Sequence, residues 1–395
     1  MALRRAGEIQ PSPTVGLDAR AKELARQGIE VISFGVGEPD FPTTRAALEE
    51  AERAMREGFT RYTPVRGIPE LRRAIADKTF KEQGLVYDPE KEILVSSGAK
   101  ESIFLALLAL VDPGEEVLLP APYWVSYPEQ VRLAGGRPVV VPSSPERGFR
   151  VGPDDLAPYL TERTRVLILN SPQNPSGTVY PREELGELAR FCLEHDLWVV
   201  ADEIYEKLVF QGEHVSLASF PGMRERTVVV NGVSKAYAMT GWRVGWALGP
   251  AGVIGAMASF QSHTTTHPSS VSQRAALGAL LGPQDQVAEM VAEFRRRRDF
   301  MVERLSSLPG FRVWPPEGAF YVFPSVEGVL GEEIPSDLSL AERLLEEARI
   351  AAVPGSAFGM PGYLRFSYAL SFERMREGLE RLERFVQGRA ATRRA

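Results

Sequence analysis

The chain has 395 residues, of which 44% are hydrophobic and 25% charged, a balance typical of a soluble globular protein large enough for two domains. A formal net charge of −6 argues against nucleic acid as the main partner, and no apolar stretch is long enough for a membrane span. Cys192 is the single cysteine, which excludes an intrachain disulfide, and the first residues lack the apolar core of a signal peptide. We therefore expect a cytoplasmic protein.

From about residue 92 the sequence alternates short β-rich runs with helical patterns. Helices are predicted at 100–111 and 182–195, and strands at 92–95, 116–119, 138–141, 165–169, 197–200 and 227–230. This alternation predicts an α/β domain in which helices cover both faces of a mainly parallel sheet.

The C-terminal part begins with a long charged helix predicted at 284–306, where the four arginines from 295 to 298 are expected to form a solvated face. Strands predicted at 318–323, 350–353 and 363–367 indicate a smaller α+β domain, which the N-terminal residues join at the turn-rich segment 35–42. We predict an arm at 1–12, small-domain residues at 13–43 and 293–395, and a large domain at 44–292.

Lys235 is the candidate nucleophile. The chain has seven lysines, and five of them, including Lys78, stand in charged, surface-like surroundings. Lys235 instead follows the apolar run 227–230, where a lysine loses its proton more readily and attacks a carbonyl carbon. Taken alone, the position fits equally well a strand-end lysine that reaches solvent.

Three further polar motifs follow predicted strands, at 96–100, 170–177 and 202–205. Since the carboxyl ends of parallel strands share one edge of a sheet, we expect these motifs to meet Lys235 in one cleft. Gly98 and Ala99 open a helix, where free N–H groups and the helix dipole favour a phosphate. The same position also fits a plain strand-to-helix turn.

The remaining candidates suit an aromatic ligand, although each also has a purely structural interpretation as a helix cap, turn or core residue. Asp202 suits a protonated ring nitrogen, Tyr205 and Asn174 suit a phenolic oxygen, and Trp124 offers a flat face for stacking. Ser234 and Arg243 add a hydroxyl and a positive charge at the phosphate. Together these groups describe a site for pyridoxal phosphate attached to Lys235.

The segments Asn170–Gly177, Asp202–Tyr205 and Ser234–Arg243 form a specific set in this order and spacing. With them the chain resembles the fold-type I, pyridoxal-phosphate-dependent aminotransferases of class I, in the bacterial aspartate aminotransferase subgroup, from about Pro11 to the last helix. The resemblance implies a mainly parallel seven-stranded sheet sandwiched by helices, plus a smaller α+β domain formed by the N- and C-terminal segments.

The resemblance also implies residue roles. Lys235 carries the cofactor and shuttles the proton, Asp202 keeps the pyridine nitrogen protonated, and Asn174 and Tyr205 bind the phenolate oxygen. Trp124 stacks on the ring. The phosphate is held by Gly98, Ala99, Ser234 and Arg243, with Tyr62 reaching in from the partner in a homodimer with shared active sites. Arg365 clamps the substrate α-carboxylate, aided by Asn174 and Gly37.

Lys100 stands where this subgroup places a lysine for the distal carboxylate. We therefore expect aspartate or glutamate to donate an amino group to a 2-oxo acid such as 2-oxoglutarate, by a ping-pong mechanism through pyridoxamine phosphate. Gln10 replaces the basic residue that relatives use for prephenate, which predicts poor activity with that substrate.

Alternatives are aromatic or alanine-type donors, prephenate, a decarboxylase or a carbon–sulfur β-lyase on the same fold. A more distant alternative is a non-catalytic ligand-sensing module, which we disfavour because the chain has no room for a helix-turn-helix ahead of the arm and retains Lys235, Asp202 and Arg365. The four histidines lack partners at metal-ligand spacing, so we expect structural roles for them and no metal site.

Overall fold

The computed structural model describes residues 19–20, 23–24 and 26–392. Gln10 and the predicted arm at 1–12 lie outside the described residues. Within the described ranges, every helix is too short or too polar to cross a lipid bilayer.

The strands, in chain order, are β1 (Ile32–Ser33), β2 (Ile93–Ser96), β3 (Glu116–Pro120), β4 (Arg137–Val141), β5 (Thr164–Asn170), β6 (Trp198–Asp202), β7 (Thr227–Gly232), β8 (Gly245–Leu248), β9 (Tyr321–Val322), β10 (Ile350–Ala351), β11 (Val353–Pro354) and β12 (Leu364–Ser367). The α-helices are α1 (Arg45–Arg56), α2 (Pro69–Gln83), α3 (Ala99–Leu110), α4 (Ser126–Leu133), α5 (Pro153–Leu156), α6 (Arg182–Glu194), α7 (Ala251–Ser262), α8 (Ser270–Leu281), α9 (Asp285–Ser306), α10 (Asp337–Arg343) and α11 (Phe372–Thr392).

The large domain is built on a seven-stranded sheet with the order β2-β8-β7-β6-β5-β3-β4. Neighbouring strands from β7 to β4 pair in parallel, and only β8 runs against both of its neighbours. The central strands are mainly apolar between their ends because helices bury both faces. Apolar residues of α3 and α7 pack on one face and those of α6 on the other. This arrangement confirms the predicted fold class.

The predicted elements of the sheet domain all occur, with ends that differ by one or two residues, as is usual where helices and strands fray. The prediction missed β8, whose four residues follow the Lys235 motif closely. The strand predicted at 318–323 is reduced to β9, because Ala319 takes a positive φ of 58° that interrupts an extended backbone.

The small domain joins both ends of the chain. Strand β1 pairs in parallel with β10, and β11, β12 and β9 form an antiparallel sheet beside them. Phe34 packs edge-on against Phe366 at 5.6 Å between ring centroids. The domain boundaries at 43/44 and 292/293 remain our proposal, and α9 runs through the second of them without a break.

The expectation that the arginines from 295 to 298 form a solvated face is wrong for Arg297, which is 6% exposed. Four consecutive helical residues point in four directions, so one of them must share the inward face of Phe294 and Met301. The Arg297 guanidinium donates to Asp40 Oδ1 at 2.7 Å, which ties the segment leading to the large domain onto α9.

Gly245, at the start of β8, is predicted to be indispensable for the packing of α3. A methyl group there would lie 2.5 Å from the Gly98 carbonyl carbon and closer still to the Ala99 nitrogen, and neither backbone atom can move freely. We expect Gly245→Ala to lower the free energy of unfolding by about 1–3 kcal/mol in urea titrations. Gly252→Ala is the matched control, because its methyl group would enter open space in the first turn of α7 and should change the free energy of unfolding by less than about 0.5 kcal/mol. A Gly245→Ala variant as stable as wild type would contradict the close packing of β8 against the start of α3.

Candidate active site

A cavity of about 500 Å³ opens at the carboxyl edge of the large sheet, between the two domains. Most of the predicted site residues line it: Gly37, Ala99, Lys100, Trp124, Asn174, Asp202, Tyr205, Ser234, Lys235, Arg243 and Arg365. A larger cavity of about 1070 Å³ lies in the small domain and contains none of them. The smaller cavity is therefore the candidate active site, because it gathers the groups that can do chemistry.

Lys235 lies three residues beyond the end of β7, half-buried in the cavity wall. Its Nζ donates a hydrogen bond to the Gly37 carbonyl oxygen and lies 6.0 Å from the centre of the Tyr205 ring. The pKa of the amine is lowered to about 8, mainly by burial; Glu38 opposes this shift and Arg365 adds to it. A useful fraction of neutral amine is therefore present near neutral pH.

Asp202 ends β6 and is 4% exposed. Its Oδ2 accepts a hydrogen bond from the Tyr127 hydroxyl at 2.7 Å, and its Oδ1 accepts one from the Ile204 amide at 3.2 Å. Burial raises the pKa of this carboxyl to about 6, and the Tyr127 hydrogen bond opposes the rise. Asp202 thus stays mostly ionised at neutral pH and can face a cation or a protonated ring nitrogen.

Arg365 lies in the middle of β12, buried at the small-domain side of the cavity. Its Nη1 donates to Asn174 Oδ1 at 2.9 Å and its Nη2 donates to the Gly35 carbonyl oxygen at 2.7 Å. Its buried Nε has no hydrogen-bond partner among the described residues. The guanidinium therefore keeps unused donor capacity, which suits a carboxylate.

Two tyrosines that sequence reasoning missed complete the wall of the cavity. Tyr127 hydrogen-bonds Asp202, and Tyr321 places its hydroxyl 2.8 Å from that of Tyr205. The Arg365 guanidinium also lies over the Tyr321 ring, with 4.4 Å between the guanidinium carbon and the ring centre. Neither tyrosine belongs to a strand-end motif, so only the position of Tyr127, three residues after Trp124 in the first turn of α4, offered a signal.

The far end of the cavity is an anion cradle. Gly98 takes a φ of +88°, and a methyl group there would lie 2.5 Å from Arg243 Nη2, so only glycine allows this approach. Helix α3 begins at Ala99 without a side-chain cap from Gly98, which leaves its first N–H groups for a ligand. Ser234 lines the same cavity. This cradle and the donors above fit the phosphate and carboxylates of pyridoxal phosphate and an amino acid.

Lys100 and Trp124 meet at the cavity mouth, with the lysine Nζ 4.8 Å from the centre of the indole ring. Burial lowers the pKa of Lys100, and the positive charge of Arg243 lowers it further. Trp124 is half-buried and packs edge-on against Tyr127 at 5.4 Å. A cation and a flat ring are thus available to the same ligand.

Tyr62 lies outside this cavity. It is 90% exposed and packs edge-on against His267 at 5.7 Å. Its expected role in a partner's site therefore stays a prediction.

The expectation that Lys78 is a surface lysine is wrong, because its side chain is 11% exposed and ion-pairs with Glu206 and, at 2.8 Å, with Glu82. His214 Nε2 lies 3.0 Å from Glu203 Oε2 in the same buried cluster. The carboxylate beside His214 is brought to it by the tertiary structure, so the spacing of residues in the sequence did not predict it. In the same cluster, the Lys78 ammonium provides the positive charge that pairs with the carboxylates.

The chain matches the family model for aminotransferase class I and II over residues 29–382. It is 48% identical over 387 residues to a probable aspartate/prephenate aminotransferase of Aquifex aeolicus, covering 97% of this chain and 98% of the relative. It is 44% identical over 392 residues to the aspartate aminotransferase of Geobacillus stearothermophilus, with coverage of 98% and 99%.

Among solved structures, the aspartate aminotransferase of Thermus thermophilus with maleate superposes with a TM-score of 0.93 at 45% identity, covering 97% of this chain and 99% of that one. A family match over most of the chain and relatives at this identity together show that the chain belongs to the class I and II aminotransferases.

Proposed function

We propose that this aminotransferase uses pyridoxal 5′-phosphate to move the amino group of aspartate or glutamate to a 2-oxo acid such as 2-oxoglutarate. The observation that carries the proposal is the convergence of Lys235, Asp202 and Arg365 on one cavity that ends in an anion cradle. When bound, the cofactor supplies an aldehyde for amines and a ring that withdraws electrons from the substrate α-carbon.

The residues of this chain then bind, orient and move protons. Lys235 would hold the cofactor until a substrate amine displaces it. Its freed amine, with a pKa lowered by burial, would then take the proton from the substrate α-carbon and return it to C4′ of the cofactor. Asp202 would hold a proton at the ring nitrogen because its carboxylate is mostly ionised at neutral pH and its negative charge stabilises the protonated ring. Tyr205 and Asn174 donate hydrogen bonds to the phenolic oxygen.

Substrate orientation falls to the positive groups. Arg365, braced by Asn174 and the Gly35 carbonyl, clamps the α-carboxylate in a fixed plane. Lys100 at the cavity mouth takes the distal carboxylate, which favours dicarboxylic donors over alanine or phenylalanine. We propose aspartate or glutamate over prephenate because Gln10 offers only a neutral amide.

The first test concerns the Lys235 amine. Since its pKa is lowered to about 8, covalent capture of pyridoxal phosphate by cofactor-free protein should accelerate about tenfold per pH unit below 8 and level off above it, as the neutral amine becomes the main form. Stopped-flow absorbance gives the rate, and mass spectrometry after borohydride reduction gives the site. Lys235→Ala should abolish capture, whereas exposed Lys81→Ala should not. Covalent capture of the cofactor at another lysine would contradict the assignment of Lys235 as the cofactor-binding residue.

The second test concerns Lys100. The variant Lys100→Met keeps an apolar stem against Trp124 and removes only the charge, so it should lower kcat/KM for aspartate and glutamate by about 10- to 150-fold, the loss expected for one charge-assisted hydrogen bond. Phenylalanine and alanine serve as internal controls and should change by less than about threefold. Equal losses for all donors would mean that Lys100 serves the cofactor or the fold.

The third test concerns shared sites. We propose a homodimer in which the exposed Tyr62 completes the partner's phosphate cradle. After subunit exchange, inactive Tyr62→Ala and Lys235→Ala chains should regain activity, because the hybrid contains one site with both residues intact. The matched control mixes Lys235→Ala with Asp202→Asn, whose lesions lie in the same chain's site, so each hybrid site stays defective. Confirmed hybrids without recovery in the first mixture would rule out the shared site.

A further inference from the structure

Tyr127 lies in the first turn of α4 and is 2% exposed. Its hydroxyl donates to Asp202 Oδ2 at 2.7 Å, and its ring packs edge-on against Trp124 at 5.4 Å. The phenol is thus held between the aspartate at the end of β6 and the flat ring at the cavity mouth. Within the described residues, the side chain of Tyr127 makes its one hydrogen bond to that carboxylate.

Asp202 lacks a close salt-bridge partner among the described residues, so its ionisation depends on hydrogen bonds. The titratable groups that face it are Tyr127 from α4, Glu203 and Tyr205 from the loop after β6, and Lys235 from the loop after β7. Glu203 and burial favour the neutral acid, whereas Tyr127, the Ile204 amide and Lys235 favour the carboxylate. Among the opposing contributions, the Tyr127 hydrogen bond is the largest.

We propose that Tyr127 is a positioning residue that keeps Asp202 ionised and fixes the plane of its carboxylate toward the ring nitrogen of the cofactor. The inference rests on the proposed function, since it assumes that a pyridine ring occupies the cavity. Tyr127 acts through Asp202, and its fixed phenol prevents the carboxylate from rotating away.

Burial raises the pKa of Asp202 to about 6 even with the phenol in place. Because the folded pKa lies above the ordinary value, the carboxylate forms only as the pH rises through about 6, and cofactor affinity should rise over the same range. Loss of the phenol should move this midpoint upward, since a hydrogen bond to a charged group corresponds to about one to two pH units.

The experiment measures the dissociation constant of pyridoxal phosphate for the cofactor-free full chain between pH 5 and 9, in wild type and Tyr127→Phe. We expect the midpoint to rise by about one to two pH units and affinity at pH 7 to fall about two- to tenfold. Tyr368→Phe is the matched control, because that buried phenol donates to the Ala319 carbonyl oxygen rather than to a carboxylate. It should leave the midpoint unchanged.

Two further variants separate positioning from packing. In an Asp202→Asn background the midpoint near pH 6 should disappear and leave only the titration of Lys235 near pH 8, and adding Tyr127→Phe should shift nothing more. Difluorotyrosine placed at position 127 is a stronger hydrogen-bond donor with nearly the same shape, so it should lower the midpoint. This measurement tests the proposal even when Tyr127→Phe does not fold.

An unshifted midpoint in Tyr127→Phe, or a shift that persists without Asp202, would overturn the inference. If Tyr127→Phe does not fold, an unshifted midpoint with difluorotyrosine would overturn it as well. Failure of wild type to bind pyridoxal phosphate at any pH would instead overturn the proposed function, so the two failures are distinguishable.

Discussion

The direction of the strands in the large sheet determines where this protein can do chemistry. Five neighbouring strands run in parallel, so the residues that follow β5, β6 and β7 reach the same edge although they are far apart in sequence. Strand β8 runs in the opposite direction, so its amino end lies at the same edge and places Arg243, which precedes the strand, beside the other residues. One geometric constraint thus gathers the lysine, the aspartate and the anion cradle.

The cavity lining carries an excess of positive charge. Its charged lining consists of four cations and two anions: Lys100, Lys235, Arg243, Arg365, Glu38 and Asp202. Burial is the main cause that lowers the pKa values of the two lysines, and the neighbouring arginines add to it. The excess of positive charge also attracts ligands that carry phosphate and carboxylate groups. The surrounding apolar walls strengthen both effects, because buried charges are poorly screened by water.

Residues 35–40, the covering segment, join the two domains above this cavity. The Gly37 carbonyl oxygen accepts from Lys235, the Gly35 carbonyl oxygen accepts from Arg365, and Glu38 accepts from Thr240 at 2.8 Å. At its end, Asp40 is anchored by the buried Arg297. The segment therefore contacts both Lys235 and Arg365 through its backbone carbonyl groups, and it links the two domains beside the cavity.

The sequence alone determined the α/β fold class and the strand-end motifs that meet in the cavity, because period-two and helical patterns are local signals and the carboxyl ends of parallel strands share one edge. Gly37, Lys100 and Arg365 were predicted only through the resemblance to a known family. It missed β8, Tyr127 and Tyr321, and it assigned Lys78 and Arg297 to the surface. These features depend on contacts between residues distant in sequence, such as Tyr127 with Asp202 and Arg297 with Asp40. Burial and hydrogen-bond partners were therefore decided only by the tertiary structure, since a polar side chain carries no local mark of the partner that will pair with it.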